Sequence, residues 1–248
     1  MFWLSLEQAR EANNTPGSAK HCGWLMSNIL NIAHRGFHKA FPDNTLEAFE
    51  AAIQLGVDGI ELDIRETADQ EFIVFHDAKL LDKDITNLLL SEVRNVKLQS
   101  GFGVPMLGQA LDLCRKRAKL MVELKEVRSL DKLLTLLKAK AEPSDIIVAS
   151  FNRGLVLEFK RLAPDIRTGI ITAFPFGDLV KMAKSARCDA IVVRFPFVTS
   201  RLVDKARASN LSVFVWGCPD MKAARKLMRL DVEGLISDFP DLVKKELG

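Results

Sequence analysis

The sequence predicts an α/β chain folded as a (β/α)8 barrel, and three observations carry that expectation. Short runs rich in β-branched residues alternate with helical patterns from about residue 29 to the end. Eight such runs can be counted, each but the last followed by a helix, and a right-handed succession of eight units closes on itself. The length of 248 residues suits an architecture that commonly has about 250. A doubly wound open sheet shares the rhythm but lacks, here, its usual glycine-rich fingerprint.

Ile29–Ala33 is the first strand, running into the glycine turn of His34-Arg35-Gly36. Asn44, with Glu47 three residues on, is the expected cap of a helix whose inward stripe is Leu46, Phe49 and Ile53 and whose stop is Gly56. Gly59–Arg65 is the second strand, and Phe72–Phe75 extends its sheet after a turn at Asp69-Gln70. Residues 78–108 are irregular, broken by Gly101, Gly103 and Pro105, as a long loop at a strand end would be. Helix Ala110–Arg117, strand Leu120–Lys125, helix Leu130–Ala141, strand Ile146–Ala149 and helix Arg153–Leu162 follow. Then come strand Arg167–Ile171, helix Asp178–Ala186, strand Ala190–Arg194 and helix Ser200–Ala208. Strand Ser212–Trp216, helix Met221–Leu230 and strand Gly234–Ser237 complete the set.

Residues 1–25 do not continue this rhythm and are read as an appendage, with the barrel domain spanning 26–248. Phe2, Trp3, Leu4 and Leu6 are apolar but follow no basic segment, which is not the pattern of a signal or transit peptide. No apolar run reaches the roughly 20 residues that span a bilayer, so no integral membrane segment is expected. The net charge of +3 comes from interspersed charges without a basic stripe, which excludes a nucleic-acid groove from the expectations. Cys22, Cys114, Cys188 and Cys218 are far apart, with neither zinc nor disulfide spacing, and point to a reducing, cytoplasmic setting.

The chemistry gathers between residues 32 and 77. On a strand, side chains alternate between faces, so Glu61, Asp63 and Arg65 share one face and Ile60, Leu62 and Ile64 the other. Glu123 and Lys125 likewise share a face of their strand, opposite Val122 and Leu124. Charges inside a strand are costly to bury unless paired or metal-bound. Glu61, Asp63 and Glu123 on adjacent strands would raise one another's pKa unless a cation held them. All-oxygen ligands suit one divalent cation, Mg²⁺ or Ca²⁺, and not zinc. Taken one at a time, each acid is an ordinary salt-bridge partner for Arg35, Arg65 or Lys125. Three carboxylates against Arg35 and Lys125 leave one negative charge; a divalent cation reverses it, and a singly charged phosphodiester neutralises the set. Arg and Lys at such a site are the usual clamps for a phosphoryl group. His34 and His76 each end an apolar strand, where a general acid and a general base belong. His38 reads as a loop residue, and His21 falls in the appendage. Trp216, ending the seventh strand, offers a flat apolar wall to a substrate or packs under a helix.

In this order, His34-Arg35-Gly36, Pro42-Asp43-Asn44-Thr45, Glu61-x-Asp63, His76-Asp77 and Glu123-x-Lys125 resemble the motifs of the glycerophosphodiester phosphodiesterase family. The likeness covers about residues 29–246, taking in Ser150-Phe151 and the stretch from Gly234 to Asp241. It implies a barrel of the phospholipase C-like phosphodiesterase type and a small-molecule substrate cut into glycerol 3-phosphate and an alcohol. By motif, Glu61, Asp63 and Glu123 would be metal ligands, His34 and His76 the acid–base pair, and Arg35 and Lys125 the phosphate holders. It also implies attack by the substrate's own glycerol 2-hydroxyl through a cyclic phosphate. Three departures from the family pattern stand out: Asp69-Gln70-Glu71 replaces Asp-Gly, which only reshapes that turn, while Trp216-Gly217-Cys218 in place of Trp-Thr-Val-Asn and the short, leucine-rich residues 78–108 bear on substrate choice.

Two other functions fit the same residues. A phospholipase D-like enzyme acting on lysophospholipids or sphingolipids would need exposed apolar loops, for which residues 85–90 are the candidate. A binding barrel without turnover would have lost a histidine or a ligand, and none is missing.

Overall fold

The computed structural model describes residues 29–98, 101–174 and 177–248. The segment read as an appendage, residues 1–25, lies outside the described residues. In chain order the strands are β1 (Leu30–His34), β2 (Gly59–Glu66), β3 (Phe72–Val74), β4 (Lys79–Leu80), β5 (Lys83–Asp84) and β6 (Lys119–Glu126). They continue as β7 (Ile146–Ser150), β8 (Arg167–Thr172), β9 (Ala190–Arg194), β10 (Ser212–Trp216) and β11 (Gly234–Ser237). β1, β2 and β6–β11 pair in parallel in sequence order, and β1 pairs with both β11 and β2, which closes the barrel. β3 adds to β2 antiparallel beyond the ring, with Ile64 opposite Val74, as the reading of Phe72–Phe75 expects.

Strand alternation sorts the core into two compartments. Ile32, Met121, Ile147, Ala149, Ile171, Ala190, Val192, Phe214 and Ile236 fill the barrel interior. The alternate residues, Ile60, Leu62, Ile64, Val122 and Leu124 among them, face outward and pack under the helices. Above the interior apolar layer the inward positions of β1, β2 and β6 become polar, with His34, Glu61, Asp63 and Glu123, which is where the candidate site sits.

Three local expectations are corrected. Asn44 does not cap its helix, Leu46–Gln54; Thr45 does, its hydroxyl accepting from the Ala48 N–H at 3.2 Å. Asn44 has φ +57°, and its side chain turns instead to Asp63. The eighth strand is followed by a helix after all, Pro240–Leu247, with Pro240 in its first turn, where a missing N–H costs nothing. The helix expected over Ala110–Arg117 runs from Leu107 to Cys114, opened by Gln109, whose side chain accepts from the Met106 N–H.

The irregular segment carries the β4–β5 ribbon and a satellite core of Ile73, Leu80, Ile85, Leu88 and Val93. Ile85 and Leu88 are therefore buried, while Leu89 is half exposed, so residues 85–90 offer little of the apolar surface a lipid-facing loop needs. Cys114, Cys188 and Cys218 are buried and free. No helix among the described residues is long and apolar enough to cross a membrane.

Candidate active site

The first strand delivers His34 and then turns sharply. Arg35 and Gly36 have φ +55° and +83°, and a Cβ at Gly36 would lie 2.7 Å from the Ala48 backbone. Only glycine lets the turn press against the first helix like this. The Arg35 N–H donates to the Glu61 carbonyl at 2.8 Å, so the turn is hydrogen-bonded to β2.

β2 and β6 bring the three acids together. Asp63 stands opposite Glu123 in the parallel register, and oxygens of Glu61, Asp63 and Glu123 lie within 4.8 Å of one another. The residues are only 4%, 1% and 7% exposed. After Ile64 and Leu124 the register slips, so that Arg65 pairs with Glu126 and Lys125 is the extra residue. Bulges of this kind re-aim side chains beside functional sites. Here Lys125 Nζ lies 3.0 Å from Asp63 Oδ1 and forms an ion pair with Glu123 as well. Arg35 divides itself between Asp63 Oδ2, 3.1 Å from its Nε, and Asp43, 2.9 Å from its Nη1.

Electrostatics follow from this crowding. Burial, then the charges of Asp63 and Glu123, push Glu61 well above the ordinary carboxylate range. Burial also lifts Glu123, to about 7, with Lys125 opposing and Asp63 adding to the rise. Burial works on Asp63 in the same direction, but Lys125, Arg35 and the Asn44 hydrogen bond outweigh it and hold its carboxyl low. Two cations thus serve three buried carboxylates, and the oxygens of Glu61 are the least compensated. Once ionised, this all-oxygen donor set has surplus negative charge, which fits a hard divalent cation.

The histidines are each backed by an aspartate. His34 Nδ1 lies 2.6 Å from Asp238 Oδ1, and His34 Nε2 lies 3.8 Å from Glu61 Oε2. His38, read from sequence as a loop residue, reaches the same Asp238 oxygen at 3.1 Å. His76 Nδ1 lies 2.8 Å from Asp77 Oδ1. Its position is set by backbone bonds: Arg65 Nε donates to the His76 carbonyl at 2.9 Å, and the Phe75 N–H donates to the Asp63 carbonyl at 3.0 Å. Arg65 is thus occupied with His76 and with Glu126, 2.6 Å away, and is not part of the acidic cluster.

Trp216 lies on the interior face of β10, two residues beyond Phe214, beside the barrel core. Phe151 meets its ring edge-on at 6.0 Å, and the Arg194 guanidinium lies 5.5 Å from its centroid. The sequence reading gave no site role to Asn44, which it named as a cap and within a family motif, to Asp238, within the matching C-terminal stretch, or to Arg194. Strand parity signals the last two: Ala190, Val192 and Arg194 share a face, as do Gly234, Ile236 and Asp238. Asn44 gave no such signal, because an Asn before a helix reads first as a cap.

The model of the glycerophosphoryl diester phosphodiesterase family matches residues 34–242. A Bacillus subtilis (strain 168) relative, YhdW, is 30% identical over 237 residues, covering 87% of this chain and 96% of its own. The glycerophosphodiester phosphodiesterase of Caldanaerobacter subterraneus subsp. tengcongensis is 27% identical, over 86% of this chain and 95% of its own. Among solved structures, the glycerophosphodiester phosphodiesterase from Thermotoga maritima superimposes with a TM-score of 0.75 at 26% identity, over 88% of this chain and 98% of that one. An Oleispira antarctica phosphodiesterase in complex with the product sn-glycerol-3-phosphate shares the fold, with a TM-score of 0.80 at 22% identity over 86% and 94% of the two chains.

Proposed function

This chain belongs to the glycerophosphoryl diester phosphodiesterase family, and from that premise we propose that it hydrolyses glycerophosphodiesters to glycerol 3-phosphate and an alcohol, with a divalent cation and a histidine pair. The observation that carries the reading is the buried triad of Glu61, Asp63 and Glu123 beside His34 at the barrel mouth. A polar cluster so poorly compensated is a poor device for stability, since like charges at that separation repel. It is a good cradle for Mg²⁺ or Ca²⁺, which when bound would polarise a phosphoryl oxygen as a Lewis acid.

The protein's own groups divide the remaining work. Arg35 and Lys125 stand next to the carboxylates, where they hold the phosphodiester anion and stabilise charge building on its oxygens. His34, with Nδ1 held by Asp238, keeps Nε2 free to take a proton from the nucleophile. His76, paired with Asp77, gives a proton to the departing alcohol. Trp216 and Phe151 wall the side of the mouth beyond Lys125, which lies 5.7 Å from the Phe151 ring centroid. The nucleophile in this scheme is the glycerol 2-hydroxyl, and the cyclic phosphate it forms is opened by water.

Release of glycerol 3-phosphate from a panel of glycerophosphodiesters, with and without chelator, tests the reading. Release abolished by chelator and restored by Mg²⁺ or Ca²⁺ is expected. Full activity in chelator would remove the cation, and no release from any diester would remove the reaction. A 2-deoxy glycerophosphodiester separates the two nucleophiles: if it is cut as fast as the natural diester, water attacks directly.

A further inference from the structure

Among the cations around the barrel mouth, Arg35 and Lys125 are engaged by carboxylates. Arg194 is different. It ends β9 on the parity of Ala190 and Val192, which face the barrel interior, and it is exposed. In the parallel register it stands opposite Trp216, with its guanidinium 5.5 Å from the indole centroid. Among the described residues no carboxylate pairs with it. Gly217, at φ +68°, lies beneath its stem, and a Cβ there would already touch Arg194 Cγ at 3.4 Å. The stem thus passes over Gly217 toward the indole, while the residue stays exposed.

A continuous wall connects this guanidinium to the phosphate-holding groups. Lys125 lies over Phe151, Phe151 meets Trp216 edge-on, and Trp216 carries Arg194, in steps of 5.7, 6.0 and 5.5 Å. Any alcohol esterified to a phosphate held at Lys125 has this wall beside it. Two aromatic rings alone would favour a quaternary ammonium, which binds to ring faces. Here a fixed positive charge already lies over the larger ring and repels a second one, while its guanidinium N–H groups, paired with no carboxylate among the described residues, can donate to an anion.

We propose that Arg194, held over the Trp216 ring, selects diesters whose leaving alcohol bears an anionic group, a carboxylate or a phosphate monoester, over those with a cationic headgroup. This rests on the phosphodiesterase reading for its geometry, since it takes the scissile phosphate to sit at Lys125.

Two matched pairs of substrates isolate the charge. Glycerophosphoserine differs from glycerophosphoethanolamine by one carboxylate, and glycerophosphoinositol 4-phosphate differs from glycerophosphoinositol by one phosphate. In at least one pair the wild type should favour the anionic member in kcat/KM by roughly fivefold, the upper worth of one solvent-exposed ion pair. Arg194→Gln should bring that ratio near one, and Arg194→Glu should invert it and improve glycerophosphocholine. The pair that responds tells carboxylate from phosphate recognition. Calorimetric affinities of the same diesters, taken with chelator so that no turnover intervenes, give a second readout. Selective affinity without hydrolysis of any diester would keep the anion site and sink the phosphodiesterase reading. Hydrolysis with both ratios near one, or with ratios that Arg194→Glu leaves unchanged, would overturn the proposal.

Discussion

Asp238 Oδ1 lies 2.6 Å from His34 Nδ1, and the same oxygen lies 3.1 Å from His38 Nε2. Hydrogen bonds from His34 and then His38 hold the Asp238 carboxyl far below its ordinary range, so it is an anion at any working pH. An anion at Nδ1 fixes which nitrogen of His34 is left free, the orientation that the proposed proton transfer needs. Asp238→Asn should lower kcat on the order of 10²-fold, with a smaller change in KM. His38→Ala, which leaves the His34 contact in place, should cost far less. Equal losses in the two variants would mean that Asp238 serves the loop and not the imidazole.

The two histidines should be unequal partners in one reaction. Asn at either position keeps size and polarity but removes proton transfer, and the expected loss in kcat/KM is about 10²–10⁴-fold each. A substrate with an activated leaving group, such as a 4-nitrophenyl ester of glycerol phosphate, needs little protonation of its alcohol. His76→Asn should recover much of its rate on that substrate and His34→Asn should not. The reverse pattern would exchange their roles.

Metal affinity should depend on pH with a definite sign. Without metal, Glu123 titrates near 7 and Glu61 lies well above the ordinary range, so both take up protons as the pH falls. A bound cation needs both ionised, so binding must release protons and weaken with falling pH. Calorimetry in buffers of different ionisation enthalpy should find more protons released at pH 6 than at pH 8. Glu123→Gln should remove part of that difference and weaken binding by more than about 10-fold, which is what changes outside the ligand set already cost. A pH-independent affinity would place the cation elsewhere.

Two buried thiols set the alkaline limit of stability. Burial pushes Cys114 and Cys188 up to about 12, above the value of an exposed thiol. The folded state therefore keeps protons that the unfolded state loses, and stability falls as pH rises above the unfolded pKa near 8.5–9. Each thiol contributes a slope of about 1.4 kcal/mol per pH unit over that window. Denaturation midpoints at pH 8, 9 and 10 should fall progressively, and Cys114→Ala combined with Cys188→Ala should flatten the fall. Alkylation at pH 8 should spare both cysteines until the protein unfolds.

How much of this was legible beforehand depends on whether a residue's role is local. Glu61, Asp63 and Glu123 announce themselves because a charge at an inward strand position breaks the alternation that Ile60, Leu62 and Val122 keep. The barrel is equally legible, since each strand–helix unit carries its own periodicity. Asp238 is 204 residues from His34, and nothing local to either predicts the contact that barrel closure creates by pairing β1 with β11. Arg194 and Trp216 meet instead across the register of the consecutive strands β9 and β10. The bulge at Lys125 is invisible to simple alternation, which places Lys125 and Glu123 on one face but not the slip that lets one ammonium reach both Glu123 and Asp63.

Asn44 is the sharpest case of a residue with one obvious role and another actual one. Its Nδ2 donates to Asp63 Oδ2 at 2.8 Å, and its Oδ1 accepts from the Asp63 N–H at 3.2 Å. This reciprocal pair ties the loop before the first helix to the middle of β2 and fixes the rotamer of a candidate metal ligand. The backbone at φ +57° also suits Asn, since few other side chains tolerate that region. The two contributions separate by substitution. Asn44→Gly keeps the backbone and removes both side-chain bonds; Asn44→Ala removes them and adds backbone strain of about 1 kcal/mol. Both variants should weaken the cation by about 10–100-fold, as loss of a ligand's supporting hydrogen bonds does. Asn44→Ala should also unfold at a lower temperature than Asn44→Gly. If both bind the cation as tightly as the parent, Asp63 is positioned by Arg35 and Lys125 alone, and the amide only anchors the loop.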